Sequence, residues 1–383
     1  YSELILFGDK VSVQFPEKAI IQNIIGAGHT ALNQFSDAIY HYKAALKLDP
    51  QNAEVLNNLG LTYKEIGDFE KANECFENSI SIKPNFAEAF NNLALSLKEE
   101  RKFEKAIISL EKAISLKNNY AEAYYNLGNV YNLLGELEKS INMFTRAIDI
   151  KSDYFDAYNN LGAVYNLKKD YEKAYQNIQK AISLNPNNAD AYNNLGTSAL
   201  NLNKEDEAIA HYNKAISIDP KLIIAYSNLC GLFEKSNNLT EFENILEKTK
   251  ELKLDQFGEI KFHEAQLLSR KKDFERSILL LKSIDDNEIS EKTKTNKYGL
   301  LGKDFDKVQN YKEAFKCFQK TNELVKVGLE YKQFKPTIYQ EEILELINSY
   351  SKAKKISWMN YHQKLNFQPV FLVGFPRSGT TLL

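Results

Sequence analysis

Small and hydrophobic residues recur along the chain with one period of 34 residues. The first series of small residues keeps this step throughout, at Gly26, Gly60, Ala94, Gly128, Gly162, Gly196 and Cys230. A second series keeps the same step, at Ala38, Ala72, Ala106, Ser140, Ala174 and Ala208. Within one period the first series lies on one helical face, with Leu56, Leu59 and Tyr63, and the second lies on another, with Phe76 and Ser79. The spacing predicts units of two helices that pack through small residues.

Breaks in this pattern divide the chain. Proline, which cannot continue a helix, closes units at Pro16, Pro50, Pro84, Pro186 and Pro220. We expect six full units over residues 19–222, preceded by the second helix of an earlier unit in residues 1–18, so that the array begins before residue 1. The match weakens over residues 223–330, where Phe242 replaces the small residue, and two looser units lie near residues 258–291 and 295–328. Residues 331–368 read as a connector and residues 369–383 as the start of another domain.

The repeat resembles a known family. Its 34-residue step and the segment AEAYYNLGNVYNLLGELEKSINMFTRAI, residues 121–148, are similar to the tetratricopeptide consensus. The resemblance implies an all-α superhelical solenoid, in which the first helix of every unit lines a concave groove.

Composition limits the functions that the chain can have. Lys and Arg number 49 against 51 Asp and Glu, so no overall field attracts nucleic acid or an anionic membrane surface. Cys75, Cys230 and Cys317 are widely separated, and no clustered His completes a metal site. Because no apolar run reaches about 18 residues, we expect no membrane span. These features favour a cytoplasmic protein without a metal.

Asparagine follows the same period on the first helix, at Asn58, Asn92, Asn126, Asn160, Asn194 and Asn228. An amide offers both a donor and an acceptor, which matches a peptide backbone. Such a row resembles the peptide-binding array of the protein O-linked N-acetylglucosamine transferases, which implies a protein or extended peptide as partner. Alternatively, these residues are structural and hydrogen-bond between neighbouring helices. Doubled Asn, as at Asn57, favours the groove interpretation, because Asn is a poor helix former.

Acidic residues also recur near the start of the first helices, at Glu54, Glu88, Glu122, Asp156 and Asp190. Carboxylates there stabilise the positive end of the helix dipole. The alternative is a negative rim that attracts a basic peptide.

The last fifteen residues change in character. PVFLVGFPRSGTTLL predicts a buried strand, Val370 to Val373, and then a loop with the spacing Gly374-x-x-x-x-Gly379-Thr380-Thr381. Backbone N–H groups of such a loop face an anion. Thr380 stands where a nucleotide triphosphatase loop has Lys, and Arg377 supplies the positive charge, which disfavours ATP with magnesium.

The string PRSGTT resembles the 5'-phosphosulfate loop of sulfotransferases, especially the family that includes tyrosylprotein sulfotransferases. The resemblance implies that 3'-phosphoadenosine 5'-phosphosulfate is held by Arg377, Ser378, Gly379, Thr380 and Thr381. It also implies that the general base lies downstream, so we assign no catalytic residue and expect residues 1–383, a fragment, to be inactive. The alternative function is a protein–protein interaction scaffold without catalysis.

Overall fold

The computed structural model describes residues 18–327, together with residues 1, 2, 5, 6, 10, 11, 14 and 15. Eighteen helices follow one another over residues 19–327, and none of the described residues belongs to a strand. Their bounds are α1 Ala19–Ala31, α2 Phe35–Leu48, α3 Ala53–Glu65, α4 Phe69–Ile82, α5 Ala87–Glu99, α6 Phe103–Leu116, α7 Ala121–Leu133, α8 Leu137–Ile150, α9 Phe155–Leu167, α10 Tyr171–Leu184, α11 Ala189–Asn201, α12 Glu205–Ile218, α13 Ile223–Lys235, α14 Leu239–Glu251, α15 Gly258–Arg270, α16 Phe274–Lys282, α17 Glu291–Lys307 and α18 Tyr311–Val327. Consecutive pairs form units 1 to 9, so unit 1 is α1–α2 and unit 9 is α17–α18.

The all-helical architecture expected for residues 19–327 is confirmed. Six regular units are followed by three units of less regular sequence, and in unit 7 Phe242 is fully buried. The strand and phosphate loop expected after residue 369 lie outside the described residues, as does the connector.

Close approach inside each unit explains the glycine series. In unit 2 a Cβ added to Gly60 would stand 2.7 Å from Cε1 of Phe76, which lies sixteen residues later on the second helix. In unit 6 the same distance separates such a Cβ on Gly196 from Cε1 of Tyr212. Unit 3 has Ala94 at this place, and its partner is the smaller Leu110, also buried. The size of the small residue on the first helix is therefore matched to the size of the side chain sixteen residues later on the second helix.

The turn between the two helices of a unit uses a left-handed residue at an equivalent place. Glycine adopts this conformation in two units, at Gly67 and Gly135. Other residues adopt it elsewhere, at Asn33, Arg101, Lys169, Asn203, Asn237, Lys272 and Gln309. Because a non-glycine residue pays a steric cost with positive φ, packing of the two helices must hold these turns in place.

The stacking of units defines an inner and an outer layer. Each second helix packs against the first helix of the following unit, and each first helix also contacts the next first helix. Among the described residues, no second helix contacts another second helix. Successive helices converge on the inside of a curved stack, so the first helices form the concave layer and their exposed faces line a groove.

The candidate groove and its amide ladder

Six asparagines predicted to bind a partner lie on the first helices of units 2 to 7, and each one donates from Nδ2 to the preceding unit. Asn92 donates to Asn57 Oδ1 at 2.9 Å, and Asn126 donates to Asn91 Oδ1 at 2.8 Å. The remaining bonds run from Asn58 to Asn23 at 3.1 Å, Asn160 to the Tyr125 hydroxyl at 3.1 Å, Asn194 to Asn159 at 3.1 Å and Asn228 to Asn193 at 2.8 Å. The six residues and their acceptors thus form one continuous amide ladder.

The first asparagine of each doublet is the acceptor of the next rung, and the second is the donor to the preceding unit. Donor and acceptor are always 35 residues apart, because the acceptor directly precedes the donor position of its own unit. Doubled Asn is therefore explained by pairing between units. The hydrogen bonds between units support the structural interpretation of the asparagine row. Only the amide atoms that do not take part in these bonds remain able to bind a ligand.

The ladder has members that the asparagine pattern does not mark. Tyr125 replaces the acceptor in unit 4, where Asn160 also donates to Asn129 Oδ1 at 2.9 Å. Between units 7 and 8 the rung is formed by Ser227 Oγ and His263 Nε2 at 2.8 Å. A search for any polar pair at an offset of 35 or 36 residues would have found both.

Each Asn–Asn rung leaves one acceptor and one donor. The Oδ1 atoms of Asn58, Asn92 and Asn194 accept no hydrogen bond from the described residues, and they are not fully buried. The Nδ2 atom of the acceptor Asn57 likewise makes no hydrogen bond with the described residues and is not fully buried. The Nδ2 atom of Asn91, in contrast, is buried without a partner. Pairing fixes the orientation of every amide, because the donor nitrogen must face the neighbouring oxygen.

Apolar side chains accompany the ladder in the middle of the array. Leu133 and Leu167 end the first helices of units 4 and 5, and they are 60% and 61% exposed. The equivalent residues of units 2 and 3 are Glu65 and Glu99, which pair with Lys64 and Lys98. At this position the first helices are charged in units 2 and 3 and apolar in units 4 and 5, and they are polar again at Asn201 and Lys235 of units 6 and 7.

The acidic series does not form a uniform negative rim. Glu54 Oε1 lies 2.6 Å from Lys83 Nζ, and Glu88 Oε1 lies 3.1 Å from Lys117 Nζ. The hydrogen bond from Lys83 lowers the pKa of Glu54. Since both lysines belong to the turns that follow these units, the first two carboxylates act at least partly as links within the scaffold.

Other chemistry is sparse in the described part of the chain. Residues 18–327 contain no cluster of three or more side chains able to hold a metal ion. None of the described helices is long and apolar enough to cross a membrane. The predicted donor-site residues Arg377, Ser378, Gly379, Thr380 and Thr381 lie outside the described residues.

Comparison with known proteins agrees with this architecture. Models of the TPR repeat match residues 29–67, 99–135 and 128–168, and models of the tetratricopeptide repeat match residues 53–86 and 153–221. The chain belongs to the tetratricopeptide repeat proteins. No curated protein matches its sequence.

Solved structures with TM-scores above 0.5 share the fold. A tetratricopeptide repeat protein from Parabacteroides merdae is 19% identical, with a TM-score of 0.56 over 65% of this chain and 98% of that one. The Cut9–Hcn1 hetero-tetramer of APC/C gives 19% identity and a TM-score of 0.52 over 58% of this chain and 44% of that one. MamA is 30% identical over 44% of this chain and 92% of its own, with a TM-score of 0.40.

Proposed function

We propose that the groove binds an extended polypeptide, and that the protein acts as an interaction scaffold. The observation that carries this proposal is the set of atoms left over by the amide ladder. A rung such as Asn57–Asn92 leaves one amide acceptor and one amide donor, which is the pair of groups that a peptide unit requires.

The repeat of the ladder suits a chain in extended conformation. Packed helices lie about 8–10 Å apart, and an extended chain advances roughly 3.3 Å per residue, so one unit corresponds to about three ligand residues. The rungs would read the main chain, while Leu133 and Leu167 would contact apolar side chains of the ligand. Because the amides are already oriented by their pairing, binding requires little further ordering of the groove.

A selection with random 15-residue peptides displayed on phage tests the proposal. We expect the Asn126→Ala, Asn160→Ala double variant to bind the selected peptides at least tenfold more weakly. Asn142→Ala is the matched control, because Asn142 is exposed on the second helix α8 and should leave binding unchanged. Equal binding by both variants, or failure to select any peptide, would contradict a peptide groove.

The same variants also separate binding from stability. Asn126 and Asn160 each donate across a unit boundary, so their loss should cost about 1 kcal/mol per rung in addition to any ligand contact. Binding is therefore measured at a temperature where circular dichroism shows full helix content in every variant. A binding defect that follows the loss of helix would assign these residues to the scaffold alone.

We propose as a second function that residues 369–383 begin a sulfotransferase domain, for which the repeats would present the acceptor. The supporting observation is the sequence PRSGTT behind an apolar run, in which Thr380 stands at the lysine position of a nucleotide triphosphatase loop and Arg377 supplies the positive charge. Arg377, Ser378, Gly379, Thr380 and Thr381 would cradle the 5'-phosphosulfate of the donor, through backbone N–H groups and a guanidinium that can offer two parallel donors. Sulfuryl transfer needs such preorganised donors more than it needs a metal.

Calorimetry with 3'-phosphoadenosine 5'-phosphate tests this second function in a chain that continues past residue 383. Arg377→Ala should weaken binding by about ten- to a hundredfold, since a charge-assisted contact is worth on the order of 1.5–3 kcal/mol. Arg377→Lys should restore part of the loss, because an ammonium acts as a point charge. Unchanged affinity in Arg377→Ala would remove the support for a donor site.

A further inference from the structure

One glycine of the groove has no packing reason to be glycine. Gly231 lies inside α13, the first helix of unit 7, where glycine is less favourable than alanine. Gly60 and Gly196 are explained by a ring of the second helix, since an added Cβ would stand only 2.7 Å from it. A Cβ added to Gly231 would meet no atom within 4 Å, which holds for no other glycine in the helices of residues 19–327. Gly231 therefore leaves a space open, although this lowers the stability of its helix.

This space faces the amide ladder. The equivalent residue of unit 4 is Asn129, whose Oδ1 accepts from the Asn160 amide of the following unit at 2.9 Å. In unit 8 the place of Asn160 is taken by His263, which already pairs with Ser227. Because glycine has no side chain to fill the place of Asn129, a hollow is left in the groove beside the Ser227–His263 rung. We call this space the Gly231 hollow.

The polar groups near the Gly231 hollow are already paired. His263 donates from Nδ1 to Gln266 Oε1 at 2.7 Å, so both of its ring nitrogens have partners. Burial lowers the pKa of His263 to about 4, and the ring is therefore uncharged at neutral pH. Glu234, on the next turn of α13, accepts from Arg270 Nε at 2.9 Å. None of these contacts requires a polar ligand, which favours an apolar group in the hollow.

The edge of the groove is apolar at the same place. Ile224 precedes Gly231 by two helical turns on the same face of α13, and it is 46% exposed. Phe257, directly before α15, is 42% exposed. In unit 2 the equivalent places meet at one lysine, because Lys83 Nζ lies 2.6 Å from Glu54 Oε1 and 4.5 Å from the centre of the Phe86 ring. Units 2 to 6 and unit 8 carry a carboxylate at the position of Ile224, at Glu54, Glu88, Glu122, Asp156, Asp190 and Glu259.

We infer that the Gly231 hollow receives one apolar side chain of an extended peptide, and that Ile224 and Phe257 extend this apolar contact to the edge of the groove. The inference rests on the proposed function of the groove and specifies which kind of side chain the ligand carries. An anchor side chain in a preformed pocket is where binding energy is concentrated in many interfaces. Leu167 lies two units earlier, and one unit corresponds to about three ligand residues, so the ligand should carry apolar residues about six positions apart.

Filling the hollow tests the inference in the whole chain. The probes are the 15-residue peptides selected by phage display on the wild type. Gly231→Leu should bind them at least tenfold more weakly, because its side chain would occupy the hollow. Its melting temperature should equal or exceed that of the wild type, since the new Cβ meets no atom within 4 Å and leucine favours a helix more than glycine does. Gly231→Ala adds only the Cβ and should change binding less than threefold.

Ala210→Leu is the matched control. Ala210 is exposed on the second helix α12, so this variant adds a leucine outside the groove and should bind the peptides as the wild type does. An alanine scan of one selected peptide gives a second measurement. One apolar residue of the peptide should contribute at least tenfold to binding by the wild type and less than twofold in Gly231→Leu, because its contact with the hollow is already lost.

The outcomes separate this inference from the peptide groove itself. Unchanged binding by Gly231→Leu, or a melting temperature below that of the wild type, would overturn the inference. Equal losses in Gly231→Leu and Ala210→Leu would do so too. If the Asn126→Ala, Asn160→Ala variant bound weakly in any of these cases, the peptide groove would stand without the anchor. Failure to select any peptide would overturn both.

Discussion

Ser227 and His263 connect units 7 and 8 through a hydrogen bond of 2.8 Å between Oγ and Nε2. The other ring nitrogen, Nδ1, lies 2.7 Å from Gln266 Oε1, and because an amide oxygen only accepts, Nδ1 carries the proton of this contact. In the neutral ring Nε2 then accepts from the Ser227 hydroxyl. The ring is 6% exposed and contacts Phe242 and Phe262. Burial lowers its pKa from 6.5 to about 4.

This arrangement predicts a loss of stability in acid. Above pH 6.5 the imidazole is neutral in both the folded and the unfolded chain. As the pH falls from 6.5 to about 4, the unfolded chain takes up a proton that the folded chain excludes, which reduces the free energy of unfolding by roughly 3 kcal/mol. Hydrogen exchange of α13 and α15 at pH 7 and pH 4.5 measures the effect. His263→Asn restores an amide and should remove the part of the pH dependence that comes from His263, while carboxylate titrations remain.

Asp304 predicts the opposite dependence in the last two units. It is 1% exposed, and its two carboxyl oxygens lie 2.6 Å from Ser269 Oγ and Ser277 Oγ. Ser277 Oγ also lies 3.0 Å from the Ala265 carbonyl oxygen, to which it can donate. A protonated Asp304 can then donate to Ser277 Oγ while it accepts from Ser269 Oγ, so that each of these contacts has a proton. Burial raises the pKa of Asp304 above 3.8, so its stabilising contribution is complete below pH 3.8 and is lost as the pH rises through the raised pKa.

Replacement by asparagine tests this assignment. Asp304→Asn keeps an acceptor for Ser269 and provides a neutral donor to Ser277, so it should stabilise units 8 and 9 by about 1–3 kcal/mol at pH 8 and have little effect at pH 4. Thermal melts at the two pH values give the comparison. A variant that is less stable than the wild type at pH 8 would mean that Asp304 works as an ionised group.

The Gly60–Phe76 contact of unit 2 predicts that this pair can be replaced by the Ala–Leu pair that stands at the equivalent positions of unit 3. Gly60→Ala should destabilise the chain by about 1–3 kcal/mol, because the new Cβ would stand 2.7 Å from the ring of Phe76. In unit 3 the equivalent positions hold Ala94 and the smaller Leu110, which leaves room for the Cβ. Gly60→Ala combined with Phe76→Leu should therefore recover most of the loss in urea unfolding, whereas additive effects of the two changes would argue against a direct contact.

The amide ladder predicts that replacing both partners of a rung costs less stability than the sum of the two single replacements. Asn92→Leu leaves the buried Asn57 without its donor and should cost about 1–3 kcal/mol. Asn57→Leu with Asn92→Leu removes both partners and should cost less than the sum of the single changes. The coupling free energy from the four proteins measures the rung, and a value near zero would mean that the pair is not a stabilising contact.

The sequence alone determined the solenoid, since the 34-residue period, the small residues and the closing prolines are properties of each unit and its nearest neighbour. Even the weakened units after residue 223 could be located, because Ala265, Gly302 and Ala314 keep the helix-packing pattern. The 34-residue period also identified the asparagine row, but it left open whether those amides bind a ligand or pair between helices. Only the stacking of units decided that each donor meets the acceptor 35 residues earlier, because this depends on how far neighbouring first helices are displaced along their axes. Tertiary structure likewise brought Asp304 to Ser269 and Ser277, because these residues belong to different helices and meet only when units 8 and 9 stack.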